Sequence, residues 1–153
     1  GRLPDAAVML GRPFSICGRV VSGQRLGRRL GFPTANLQPE NEVLPPQGVY
    51  AVKAIVRGQT WDGILNYGVR PTLGPRQPPV LELHLLEGRP DLYGTRIEVY
   101  FFAPPLRREK AFPGLKSLAI QIGQDARAAR RLLSTPAVKK LWKKALQSRT
   151  RII

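Results

Sequence analysis

The chain predicts a mainly β fold, a small antiparallel barrel or sandwich capped by C-terminal helices. Three observations carry that expectation. Short apolar runs with a two-residue period, each ended by glycine or proline, occupy residues 14–102. Spacing of three and four residues begins only after Gly114. Strands therefore come first and helices last, which excludes the alternating order of a parallel α/β sheet. At 153 residues the chain suits one domain with its own core.

In chain order, Gly1 to Gly11 reads as a short helical or linker piece, with Ala6, Ala7 and Leu10 able to pack. Phe14 to Val21 is an apolar, partly β-branched strand that contains the single cysteine, Cys17, expected as a buried structural thiol. Leu37 to Gln47 holds three prolines and is expected as a loop. Gly48 to Arg57 is a strand, Gly58-Gln59 a tight turn, and Thr60 to Tyr67 the returning strand of a hairpin. Gly68 to Pro79, with four prolines, is irregular. Val80 to Leu86 and Thr95 to Phe102 alternate as strands, stopped by Pro104 and Pro105. A helix runs from about Gly114 to Leu133, with Leu115, Leu118, Ile122, Ala126, Ala129 and Leu133 on one stripe. Pro136 interrupts it, and Ala137 to Leu146 forms a basic second helix. The organisation is a lead-in at 1–11, a domain at 12–135 and a tail at 136–153.

Composition narrows the class. A hydrophobic fraction of 42% suits a folded protein, and no apolar run is long enough to span a bilayer. One cysteine excludes a disulfide framework and a cysteine metal cluster, and suits a reducing cytoplasm or organelle interior. Of the net charge of +15, +11 falls in residues 106–153 and +4 in residues 1–105. Such a tail suits a solvated helical face, or contact with nucleic acid or an acidic partner.

Two stretches bear chemistry. From Gly23 to Asn36, glycines at 23, 27 and 31 alternate with Arg25, Arg28 and Arg29, a mixture of backbone freedom and phosphate-matching donors. Phe32-Pro33 imposes extended backbone, so Thr34 and Asn36 point to one side and offer two oxygens to a hard cation such as Mg²⁺. The same composition also suits a plain solvated turn, and it matches neither standard phosphate-loop pattern. In the second stretch, Leu81, Leu83 and Leu85 take the core face of a strand, leaving Glu82 and His84 on the other, as surface decoration or as a base and its neighbour.

The ordered segments Leu10-Gly-Arg-Pro-Phe14, Gly27-Arg28, Leu30-Gly-Phe-Pro-Thr-Ala-Asn36, Gly48-Val-Tyr50, Gly63 with Asn66-Tyr-Gly68 and Pro71-Thr72, Glu82 with His84, Asp91-Leu-Tyr-Gly94, and Leu106-Arg107 with Glu109-Lys110 and Phe112 resemble riboflavin kinase. Leu118, Gln121-Ile122 and Asp125 continue the match, which covers about residues 10 to 133. This module forms the C-terminal half of many bacterial FAD synthases. The resemblance implies a six-stranded Greek-key β-barrel that transfers the ATP γ-phosphate to the riboflavin 5′-hydroxyl, giving FMN and ADP.

By the same resemblance, Thr34 and Asn36 are the Mg²⁺ ligands and Glu82 the catalytic base. Ser22, Gly23, Arg28, Gly31, Thr34, Asn36, Leu85, Glu87 and Tyr93 surround ATP; Arg107, Lys110 and Phe112 serve the flavin. The implied partners are riboflavin/FMN and ATP/ADP, with an N-terminal adenylyltransferase domain in a full-length protein of which this chain is the C-terminal module. Competing readings are a small barrel that binds nucleic acid through its charge, and a flavin-binding module without catalysis.

Overall fold

Alternation along the apolar runs becomes the inside and outside of a closed barrel in the computed structural model, which describes residues 1–23, 27, 30–69 and 78–150. The elements are α1 (Leu3–Leu10), β1 (Phe14–Val21), β2 (Ala35–Pro39), β3 (Gly48–Val56), β4 (Gln59–Gly68), β5 (Val80–Leu85), β6 (Arg96–Phe101), α2 (Leu115–Leu133) and α3 (Pro136–Thr150). Around the barrel the order is β1-β2-β5-β4-β3-β6, and the adjacent pairs are antiparallel, with β6 closing onto β1. Strand β2 lies beside β5 rather than β3, which makes β2 to β5 a Greek key.

Inward-facing Ile16, Val20, Leu37, Tyr50, Val52, Leu65, Leu81, Leu83, Ile97, Val99 and Phe101 fill the barrel. Burying such side chains supplies about 1.5–3 kcal/mol each before entropy is counted. Nearly all of β3 is buried, because its outer face is covered too. There Val49, Ala51 and Ile55 join Ile64, Ala126, Ala129 and Leu133 in a second cluster beneath α2. The same cluster takes in α3, whose Trp142 meets Tyr100 edge-on at 5.1 Å.

The structure corrects the sequence expectations at five places. Residues 35–39, partly assigned to a loop, form β2. Its Ala35 and Leu37 point inward, and Pro39 is tolerated as the last residue, opposite Gly18. The hairpin turn sits one residue earlier, on Arg57 and Gly58, with φ of 48° and 81°; Val56 pairs with Gln59. Two consecutive positive φ values match the strand twist. Cys17 faces outward and is half-buried, its thiol pKa pushed up chiefly by desolvation and then by Glu98. In α1, Leu3 packs while Leu10 is exposed. Pro136 begins α3 rather than breaking a helix, with the Thr135 hydroxyl accepting from the Val138 amide.

Candidate active site

The site grows from one row of residues on the outside of the barrel. Asn36 on β2 pairs with Glu82 on β5, Glu82 pairs with Asn66 on β4, and Asn66 pairs with Val49 on β3. Directly opposed residues share a face, with Cβ atoms about 4.5–5.5 Å apart, so the row sets an amide on each side of Glu82. A neighbouring row holds His84, Ile64 and Ala51. Both rows lie where the first half of α2 lifts away from the sheet. Leu118 and Ile122 of the apolar stripe therefore face a cavity instead of the core, and Leu115 stays about half exposed.

Two clefts of about 450 Å³ each adjoin these rows. The first lies between the outer face of the barrel, α2 and residues 106–113. It is lined by Phe32, Ile64, Glu82, His84, Phe112, Leu118 and Ile122, among others. The second lies across β2 and is lined by Ser22, Gly23, Asn36, Leu85, Arg89, Asp91 and Tyr93. Thr34 lines both clefts, and it marks their junction. A Cβ on Gly23 would overlap the Asn36 side-chain amide, so the absence of a side chain lets the backbone close over Asn36.

The loop at 106–113 is fastened at three points. Arg107 clasps the buried Asp125 of α2: Nε donates to both carboxylate oxygens at 3.1 Å and Nη2 to Oδ2 at 2.9 Å. Gln121 Nε2 donates to the same carboxylate at 2.9 Å, and the main chain of residue 107 bridges to Val49. Glu109 accepts from Asn66 Nδ2 at 3.2 Å and from the Val69 amide at 3.0 Å. Beyond these anchors, two cations lie over the Phe112 ring, the Arg107 guanidinium carbon at 5.6 Å and Lys110 Nζ at 5.3 Å from its centroid.

His84 holds the approach to Thr34. Proline 33 has no amide to extend the ladder, and the pairing of β2 with β5 stops at Ala35 and Leu83. The His84 Nδ1–H takes over, donating to the Pro33 carbonyl at 2.9 Å, while Phe32 packs edge-on against the ring at 5.5 Å. A carbonyl only accepts, so this bond fixes the tautomer with Nδ1 protonated. Desolvation pushes the His84 pKa below its usual 6.5, aided by Arg130 and Arg89 and opposed by the Pro33 bond; Glu82 shares its face. The sign follows: below 6.5 the unfolded chain takes up a proton that the folded one resists, so stability falls as pH is lowered. Thermal denaturation of His84→Gln from pH 7.5 to 5 is expected to show a shallower loss than the unsubstituted protein.

Of the residues singled out from sequence, Ser22, Gly23, Asn36, Leu85 and Tyr93 line the second cleft. Glu82, Arg107, Lys110 and Phe112 line the first, and Thr34 lines both. Glu87 is exposed and lines neither cleft, and Gly31 (φ 82°) lies outside both. Arg28, like Arg25, Arg29 and Pro71-Thr72, lies outside the described residues. Sequence reasoning gave no role to Asn66, Glu109 or Asp125. Alternation along β4 placed Asn66 on the same face as Ile64, but only strand pairing reveals Glu82 as its neighbour.

The closed Greek-key barrel thus carries two clefts that share Thr34 in their linings. The chain belongs to the riboflavin kinase family, whose model matches residues 10–133. It is 46% identical over 129 residues to the bifunctional riboflavin kinase/FMN adenylyltransferase of Pseudomonas fluorescens, covering 84% of this chain and 41% of that protein. For the Escherichia coli K12 protein of the same description, identity is 45%, with 86% and 42% covered. The chain thus spans about two fifths of the length of these relatives. The riboflavin kinase structure from Trypanosoma brucei shares the fold at a TM-score of 0.63 and 22% identity, covering 90% of each chain. A Streptococcus pneumoniae structure described as a macrolide-efflux protein is similar over 84% of this chain and 42% of its own, at 28% identity and a TM-score of 0.74. Among the described residues of this chain, no helix is long and apolar enough to cross a membrane.

Proposed function

We propose that this chain transfers the ATP γ-phosphate to the riboflavin 5′-hydroxyl, with nucleotide in the second cleft and flavin in the first. The observation that carries this reading is Thr34 at the junction of the clefts, with Glu82 opposite Asn36 on the adjoining strand. The first cleft is mainly apolar and its loop offers the Phe112 ring, which suits a flat tricyclic ring. The second has the glycine approach at 23 and the polar 88–93 turn, which suit a nucleotide.

Phosphoryl transfer asks for alignment and charge neutralisation more than covalent chemistry. The neutral oxygens of Thr34 and Asn36 fit a hard divalent cation whose charge is balanced by phosphates, and among the described residues no cluster of three His, Cys, Asp or Glu offers an alternative. Bound there, Mg²⁺ would neutralise charge on the transferred phosphate. Glu82 accepts the proton of the attacking hydroxyl, with Asn36 and Asn66 as its cross-strand neighbours. His84 keeps Thr34 in place through Pro33. The 106–113 loop presses the flavin against the outer sheet and excludes water.

Incubation with riboflavin, ATP and Mg²⁺ tests the reading by formation of FMN; ATP left unconsumed with flavin bound would reduce the chain to a binding module. Asn36→Ala is expected to raise the Mg²⁺ requirement and the KM for ATP by about ten- to a hundredfold, with riboflavin affinity changed little. Equal loss of both ligands would indicate misfolding.

The relatives' names pair this activity with FMN adenylylation, and we assign that second activity to a separate N-terminal domain of a longer protein. The lysines of α3 at 139, 140, 143 and 144 are exposed, while Val138 and Ala145 are buried, so the basic tail is read as a solvated helix face rather than a nucleic-acid site. A reducing cytoplasm suits the lone thiol of Cys17.

A further inference from the structure

The 106–113 loop carries Lys110 and Phe112, and beyond its main-chain bridge to Val49 it is held to the barrel through Glu109. One carboxylate oxygen accepts from Asn66 Nδ2 at 3.2 Å and the other from the Val69 amide at 3.0 Å, so both are committed to the end of β4. The fit is close. A Cβ on Gly68, which directly precedes Val69, would occupy the space of the Glu109 carboxylate itself. Asn66 is also the register neighbour of Glu82, and its amide is turned so that Nδ2 serves Glu109. Among the described residues its Oδ1 is buried without a hydrogen-bond partner, so the contact with Glu109 is what sets the amide's orientation.

We infer that Glu109 is a positioning residue for the flavin cleft: by latching the loop to Asn66 and Val69, it sets the cleft's width and brings Lys110 and Phe112 over the bound ring. The inference rests on the reading that riboflavin occupies the first cleft. Glu109 does not line the second cleft, so the latch acts on one substrate and not on the other.

The experiment is riboflavin and ATP kinetics, together with riboflavin fluorescence titration, on the unsubstituted chain, Glu109→Ala, Glu109→Gln and Gly68→Ala. Glu109→Ala is expected to raise the riboflavin KM and dissociation constant by about ten- to a hundredfold, because hydrogen bonds to a charged acceptor are lost. The ATP KM is expected to stay within about twofold. Glu109→Gln, which keeps one acceptor oxygen, recovers part of the loss. Gly68→Ala displaces the carboxylate without altering Glu109, and combining it with Glu109→Ala adds nothing further. Unchanged riboflavin binding in a folded Glu109→Ala protein overturns the latch, as does an equal rise in both KM values. If the unsubstituted chain binds no riboflavin, the assignment of the first cleft falls instead.

Discussion

Replacing Glu82 by glutamine is expected to lower kcat by about 10²–10⁴-fold while the protein folds and binds ATP normally, since general-base catalysis supplies a factor of that size. Glutamine keeps the shape and hydrogen-bonding reach of the side chain but has no basic oxygen for the hydroxyl proton. The position tolerates the change structurally. Glu82 is half-buried on the outer face of β5, and its inward neighbours Leu81 and Leu83 carry the packing. ATP affinity should persist, because Glu82 lines the first cleft and not the second. The check is single-turnover phosphoryl transfer at saturating riboflavin and MgATP, alongside the denaturation midpoint. Turnover near that of the unsubstituted chain would remove Glu82 from the role of base and leave alignment by Thr34 and Asn36 as the main source of rate.

The second large effect is on stability. Asp125→Ala strips the partner from Arg107, whose side chain is only 21% exposed, and from Gln121. Breaking a buried pair from one side costs about 3–5 kcal/mol, because a desolvated charge is left behind. Partial exposure of the guanidinium places this case at the low end. For a domain of this size, about 3 kcal/mol corresponds to roughly 6–12 °C in Tm. Removing both charges should behave differently. Arg107→Met with Asp125→Leu is expected to regain most of the Tm, since apolar side chains of similar volume replace a buried pair without penalty. Flavin binding should not return with it, because the loop has lost its tie to α2 and one of the two cations beside Phe112. Calorimetry and riboflavin titration on the two variants and the unsubstituted chain separate the two effects; flavin affinity restored along with Tm would mean that the pair only supports the fold.

Which parts of this picture were legible beforehand follows from which forces are local. The apolar period of two in β5 and β6, the helical stripe of α2 and the hairpin glycine at 58 depend on each segment's own residues, and the barrel class came from their order. Strand β2 was less visible. Three prolines between residues 37 and 47 outweighed a five-residue alternation, and its pairing with β5 joins residues more than forty positions apart. The exposed Leu115 and cavity-lining Leu118 and Ile122 read as core by period alone, because periodicity tells which side of a helix is apolar and not what lies opposite.

By itself, the sequence determined the all-antiparallel class, the C-terminal helices, the family and the set of oxygen-bearing and charged side chains available for chemistry, because these depend on residue identity and short-range spacing. The tertiary structure alone decided that Thr34 stands between two clefts, that Asn36 and Asn66 flank Glu82, and that Glu109 and Asp125 fasten the 106–113 loop at opposite walls. Those juxtapositions come from register and barrel closure, where backbone hydrogen bonds between distant segments fix which side chains meet, and no local pattern encodes them.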